Sequence, residues 1–125
     1  MSFCTAIVCM DGRVQRPVRK YLIDHYGVDF VDAITAPGPN RILAEATDEV
    51  FLEAITRCMR VSENKHDSVG FAVVGHADCA GNPVSRAEQE QHTKAAVAWV
   101  RAHSPAMPVI ALWVDEDGNV SELEI

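Results

Sequence analysis

Short apolar runs alternate along this chain with longer segments of helical periodicity, and this alternation constrains the fold more than any other feature. The runs at 4–9, 69–75 and 108–114 are nearly continuous, which is typical of parallel strands buried on both faces. Residues 28–35 supply a further strand candidate. The order of these elements predicts an α/β fold in which right-handed crossovers join parallel strands.

The segments between the strands have the spacing of amphipathic helices. We predict helices over residues 15–26, 47–63 and 85–103. Gly27 follows the first helix, at the position of a C-cap glycine. Segment 37–40, Pro-Gly-Pro-Asn, is interpreted as a sharp break after the second strand.

Together these elements predict a single three-layer α/β/α domain over residues 1–125 with a mainly parallel sheet. A flavodoxin-like strand order of 2-1-3-4 would place strands 1 and 3 side by side. Asp117 and Gly118 are suited to a turn, which predicts a C-terminal antiparallel hairpin through Val120 and Leu123.

Charge and hydropathy exclude several classes of partner. The 125-residue chain has a net charge of -7, which disfavours nucleic acid and anionic membrane surfaces. No apolar run approaches the roughly 20 residues that span a bilayer, and residues 1–5 lack the basic region of a secretory signal. We therefore expect a cytoplasmic protein whose four cysteines stay reduced, available for metal binding, catalysis or packing.

Polar clusters follow two strands that the predicted order makes neighbours. Cys9, Asp11 and Arg13 lie at the end of the first strand, and His76 and Cys79 at the end of the third. Because ligands of such sheets bind at the carboxyl ends of the strands, where the winding reverses, we expect these side chains to meet there.

Two thiolates and an imidazole suit zinc, and three protein ligands leave a fourth position for water, as in catalytic sites. Asp11 is close enough along the chain to reach that position or to serve its water as hydrogen-bond acceptor or proton relay. Arg13 would keep the carboxylate ionised and oriented. A non-metal interpretation stays open, because His-x-x-Cys is common and Cys9 would also serve as a small buried apolar residue.

These residues resemble the β-class carbonic anhydrases, which carry Cys-x-Asp-x-Arg after the first core strand and His-x-x-Cys after the third. The resemblance implies zinc on Cys9, His76 and Cys79, with Asp11 and Arg13 as the catalytic dyad. It also implies reversible hydration of CO2 to bicarbonate by a homodimer or higher homo-oligomer. In a closed state of some members, the residue matching Asp11 is a fourth zinc ligand.

Differences from the family pattern keep other functions open. Gly12 replaces the usual Ser or Ala, segment 36–41 replaces an Arg-Asn-Ala stretch, and active-site residues that a partner subunit contributes have no obvious counterparts. The alternatives are hydrolysis of carbonyl sulfide or carbon disulfide, a noncatalytic zinc-binding module, and a metal-free enzyme with Cys9 or Cys79 as nucleophile.

Several further residues receive structural interpretations. Cys4 and Cys58 are predicted to pack in the core, and Asp78 is either an acceptor for His76 or a turn residue. Asn40 and Arg41 are candidates to border the pocket and bind an anion. Trp99 and Trp113 are expected in the core or at an interface. Solvent-exposed or capping roles are expected for four histidines, His25, His66, His92 and His103.

Overall fold

A five-stranded sheet forms the centre of the computed structural model, which describes residues 1–125. The elements are β1 (Phe3–Cys9), α1 (Gly12–Tyr26), β2 (Phe30–Ala36), α2 (Pro39–Glu45), α3 (Glu49–Asn64), β3 (Phe71–His76), α4 (Arg86–His103), β4 (Val109–Val114) and β5 (Val120–Leu123). The strand order is β2-β1-β3-β4-β5, with the first three pairs parallel and β4–β5 antiparallel. The predicted fold class, strand order and C-terminal hairpin are confirmed.

Alternating strand residues build a separate core on each face of the sheet. Ala6 and Val8 of β1 belong to the core under α1, where Leu22 is fully buried. Ile7 points to the other face, in a core that contains Met59 of α3. Full burial of a side chain such as Leu22 contributes about 1.5–3 kcal/mol. The sheet is therefore the middle layer between α1 on one face and the remaining helices on the other.

The two central strands separate at their carboxyl ends. The last paired residues of β1 and β3 are Ile7 and Val73. Pairing on the outer sides continues further, to Cys9 in the β1–β2 pair and to His76 in the β3–β4 pair. The sheet therefore opens a crevice between β1 and β3, at the point where the winding reverses.

Segment 37–40 ends the second strand as predicted, since β2 stops at Ala36, and it also begins a helix that was not predicted. Gly38, with φ of 56°, is the N-cap of the short helix α2, and Pro39 occupies its first turn. Proline is well suited to that position, because its φ is fixed near the helical value and its missing N–H has no acceptor there. The helix α1 also begins earlier than predicted, at Gly12, with Asp11 as N-cap. No helix is both long and apolar enough to cross a membrane.

The burial predictions for the two cysteines outside the strand ends have opposite outcomes. Cys4 is fully buried, as predicted. Cys58 is exposed, so its predicted place in the core is wrong. The reason is that α3 buries only a narrow stripe, Ile55, Met59 and Ser62, because it packs near the edge of the sheet, against β2.

Candidate metal centre

The crevice between β1 and β3 brings together the three residues predicted as metal ligands. Cys9 and His76 are the last residues of their strands, and Cys79 lies in the loop after β3. Their sulfur and nitrogen atoms all lie within 4.8 Å of one another. Each residue is at most 5% exposed, so the cluster is buried.

The hydrogen bonding of His76 leaves one ring nitrogen available to a metal. Nδ1 lies 2.8 Å from the backbone oxygen of Ala77. Because a carbonyl only accepts, Nδ1 carries the proton and Nε2 presents its lone pair. Nε2 is buried and has no hydrogen-bond partner in the protein. A buried acceptor without a partner is costly, and a metal ion would provide one.

The two thiols complete a donor set that fits zinc. Their Sγ atoms are 3.8 Å apart. Burial and the neighbouring Cys9 raise the pKa of Cys79 to about 11, while backbone amides of Gly81 and Asn82 act in the opposite direction. Two thiolates at this separation repel each other, and a divalent cation would offset that repulsion. Two sulfurs and one imidazole nitrogen are donors that zinc prefers.

Asp11 and Arg13 form an ion pair beside the cluster. The Asp11 carboxylate accepts from the backbone N–H of Arg13 at 2.9 Å, and so caps α1. The guanidinium adds Nη2–Oδ2 and Nε–Oδ1 contacts of 2.6 and 3.1 Å. Hydrogen bonds from Arg13 hold the pKa of Asp11 well below its usual range. Asp11 is thus ionised and bound to Arg13.

The structure gives Asp78 a role that the sequence did not indicate. Arg13 contacts the Asp78 carboxylate with Nη1 at 3.2 Å and its backbone oxygen with Nη2 at 3.1 Å. Asp78 adopts a left-handed conformation with φ of 54°, so the turn interpretation is correct. It is not the acceptor for His76, which uses Ala77 instead. Arg13 therefore bridges the loops that follow β1 and β3.

A protein-family model described as "Putative carbonic anhydrase" matches residues 1–124. The chain belongs to the carbonic anhydrase family that this model describes. Resemblance to this family was the expectation from Cys-x-Asp-x-Arg and His-x-x-Cys, and it is confirmed. No curated protein matches the chain.

Solved β-carbonic anhydrases have a similar fold. Isoform I of the protozoan Trichomonas vaginalis aligns with a TM-score of 0.60 and 17% identity, over 95% of this chain and 80% of that one. One of two tetrameric enzymes described from the ascomycete Sordaria macrospora gives 0.55 and 14%, over 98% and 80%. A third, from the fungal pathogen Aspergillus fumigatus, gives 0.54 and 15%, over 97% and 74%.

Within this family member, Asn40 and Arg41 do not form the predicted anion site. Arg41 donates to Glu45 at 2.6 Å, one turn further along α2. Asn40 is 1% exposed, and its amide donates to Gln89 and Thr93 at 3.0 and 3.2 Å. The amide of Asn40 is therefore hydrogen-bonded within the protein interior, where it links α2 to α4.

Sequence reasoning missed this buried polar network. Gln89 and Thr93 lie on the same stripe of α4 as the buried Ala96 and Val100. The signal was available, since two polar residues at core-facing positions of an otherwise apolar stripe require hydrogen-bond partners. The partners themselves come from distant parts of the chain, and periodicity does not indicate them.

Proposed function

We propose that the chain catalyses zinc-dependent reversible hydration of CO2 to bicarbonate. Cys9, His76 and Cys79 would hold the zinc ion. The observation that carries this proposal is the unpartnered, buried Nε2 of His76, which faces no protein donor and lies with two thiols at the switch point of a β-carbonic anhydrase fold. When bound, zinc supplies Lewis acidity, which lowers the pKa of water at the site towards about 7.

Asp11 would orient the reacting water in this mechanism. Because its pKa is held well below the usual range, its carboxylate accepts a hydrogen bond and does not store a proton near neutral pH. The guanidinium of Arg13 donates to both oxygens of the carboxylate and thereby fixes its direction. The engagement of Asp11 by Arg13 supports an open fourth ligand position, in preference to the closed state in which Asp11 would bind the metal.

A cleft of roughly 490 Å³ adjoins His76 and offers a route for the substrate. Arg13, Val114 and the acidic turn 115–118 line it. An acidic rim leaves an uncharged molecule such as CO2 free to enter, and it repels an anionic product such as bicarbonate. The lining therefore favours a small neutral substrate and release of an anion.

Stopped-flow hydration assays on the zinc-loaded protein test the proposal, with carbonyl sulfide and carbon disulfide hydrolysis measured on the same sample. We expect CO2 hydration that disappears in Cys79→Ser and persists in Cys58→Ser, since Cys58 is an exposed cysteine outside the cluster. If the protein hydrolyses carbonyl sulfide or carbon disulfide but does not hydrate CO2, its function is hydrolysis of that sulfur compound. Metal binding with neither reaction would indicate a noncatalytic module.

We further propose a cytoplasmic homo-oligomer, at least a dimer. Four free cysteines suit a reducing compartment. The edge strand β2 has a free side, which is a ready surface for pairing with another copy, and the Sordaria macrospora relatives are tetrameric. Light scattering on the purified protein tests this, and a monomeric mass at working concentrations would contradict it.

A further inference from the structure

Two glutamine side chains hold the backbone of two proposed metal ligands. Gln15 Nε2 donates to the carbonyl oxygen of Cys9 at 2.7 Å. Gln89 Nε2 donates to the carbonyl oxygen of His76 at 2.6 Å. Gln15 belongs to α1 and Gln89 to α4, which pack on opposite faces of the sheet. The same bond is therefore made twice, once from each outer layer.

The position of these bonds in the sheet explains why the strand ends need them. Cys9 and His76 lie beyond Ile7 and Val73, the last residues that β1 and β3 pair with each other. Past that point the two strands no longer hold one another in register. Each strand end then pairs only with its outer neighbour, β2 or β4, and a side-chain donor from the helix layer adds a second restraint at its carbonyl group.

The orientation of the Gln89 amide is fixed by its own partners. Its Oε1 accepts from Asn40 Nδ2 at 3.0 Å, so its Nε2 must face His76. Asn40 is oriented in turn, because its Oδ1 accepts from the backbone N–H of Arg41 at 2.9 Å. Gln89 and Asn40 are each 1% exposed. The chain of amides thus connects the first turn of α2 to the His76 peptide.

Strand β3 approaches α4 closely beside this network. A Cβ atom on Gly75, next to His76, would lie 2.9 Å from Thr93 Oγ1 and 3.2 Å from Gln89 Oε1. Such distances are closer than ordinary van der Waals contact, so the glycine lets β3 approach α4 closely. The Gln15 amide adds a 3.1 Å contact to the carbonyl of Asp11, which extends the restraint to the neighbouring loop.

We propose that Gln15 and Gln89 are positioning residues that hold the strand ends carrying Cys9 and His76, and so preorganise the metal donors. The inference rests on the proposed metal site and deepens it. A restrained donor set binds metal tightly because little ordering remains to be done on binding. Loss of either restraint therefore weakens metal retention while the donors themselves stay intact.

The test uses Gln15→Met and Gln89→Met, which keep side-chain length and helix propensity but remove the donor. Gln91→Met is the matched control, since Gln91 is an exposed glutamine in the same helix as Gln89. Val100→Ala, a buried position of α4 outside the cluster, controls for a general loss of stability. The readouts are the rate of zinc release to a chelator and the visible spectrum of the cobalt-substituted protein.

We expect both positioning variants to release zinc on the order of 10-fold faster and to shift the cobalt ligand-field bands. Gln91→Met should match the wild type, and Val100→Ala should melt earlier with an unchanged cobalt spectrum. Wild-type release rates and spectra in both positioning variants would overturn the inference. Gln15 is only half-buried, so its variant decides the matter even if Gln89→Met does not fold. A wild-type protein that takes up no metal would instead overturn the proposed function, and the inference with it.

Discussion

At the scale of single residues, Asp11 combines a structural and a proposed chemical role. Its carboxylate caps α1 and also pairs with the side chain of Arg13, two residues further along the chain. The Cys-x-Asp-x-Arg motif indicated that pair from the sequence. The contact of Arg13 with Asp78 was not predictable in the same way, because it joins the first turn of α1 to a loop residue 65 positions further along the chain.

The first prediction concerns Asp11→Asn. Asparagine caps helices about as well as aspartate, so stability and zinc content should change little. The charge that orients the water is lost, and the kcat of CO2 hydration should fall at least about 100-fold. Asp24→Asn, an exposed position of α1, is the matched control and should hydrate CO2 at the wild-type rate. Equal activity in both variants would remove Asp11 from the mechanism.

The second prediction concerns thiol reactivity after zinc is removed with a chelator. With its pKa raised to about 11, Cys79 is almost entirely protonated near neutral pH. Iodoacetamide labelling followed by peptide mass spectrometry should modify the exposed Cys58 first, and Cys79 at least about 100-fold more slowly. Faster labelling of Cys79 than of Cys58 would instead favour the metal-free enzyme with a cysteine nucleophile.

At the scale of elements, the loop after Cys79 is held by the loop between β2 and α2. A Cβ atom on Gly81 would lie 2.4 Å from the carbonyl carbon of Pro37 and 2.6 Å from the backbone nitrogen of Gly38. These are backbone atoms, which do not move aside as a side chain would. The Pro-Gly-Pro segment 37–39 therefore packs directly against the loop that follows Cys79.

The third prediction follows from that contact. Gly81→Ala forces the two loops apart, and we expect the free energy of unfolding to fall by about 1–3 kcal/mol, as in other overpacked sites. Gly12→Ala is the control, because nothing lies within 4 Å of the added Cβ. It should be neutral or stabilising by up to about 1 kcal/mol. Urea unfolding of both variants measures the difference, and equal stabilities would contradict the described loop contact.

At the scale of the whole molecule, the sequence predicted the features that follow from apolar periodicity and missed those that depend on contacts between distant parts of the chain. The apolar runs were sufficient for the strands, their order and the meeting of Cys9, His76 and Cys79. The seven-residue helix α2 was missed because its position depends on packing between loops. Cys58 was misplaced because periodicity does not show how wide a face α3 buries.

The fourth prediction concerns stability at alkaline pH. Burial raises the pKa of Cys4 from 9.0 to about 11 and that of Tyr26 from 10.0 to about 12. The folded state therefore keeps these protons after the unfolded state has lost them. Their stabilising contribution is complete below about pH 9 and is lost as pH rises through 11 and 12, with a limiting slope of about 1.4 kcal/mol per pH unit for each proton.

Urea unfolding at a series of pH values measures this dependence on the metal-free protein. Cys4→Ala provides the comparison, since it removes Cys4 while Tyr26 and Cys79, whose pKa values are also raised, remain. Its free energy of unfolding should decline less steeply than that of the wild type between about pH 9 and 11. The same slope in both proteins would show that Cys4 does not titrate as its burial implies.

The most direct test of the central claim is the zinc content of the purified, untagged protein, measured by elemental mass spectrometry. We predict about one zinc per chain in the wild type and in Cys58→Ser, and almost none in Cys79→Ser. The reason is that Cys79 belongs to the three-donor cluster and Cys58 does not. A wild-type protein that takes up no zinc, or a Cys79→Ser variant that keeps its full zinc content, would contradict the proposed metal centre.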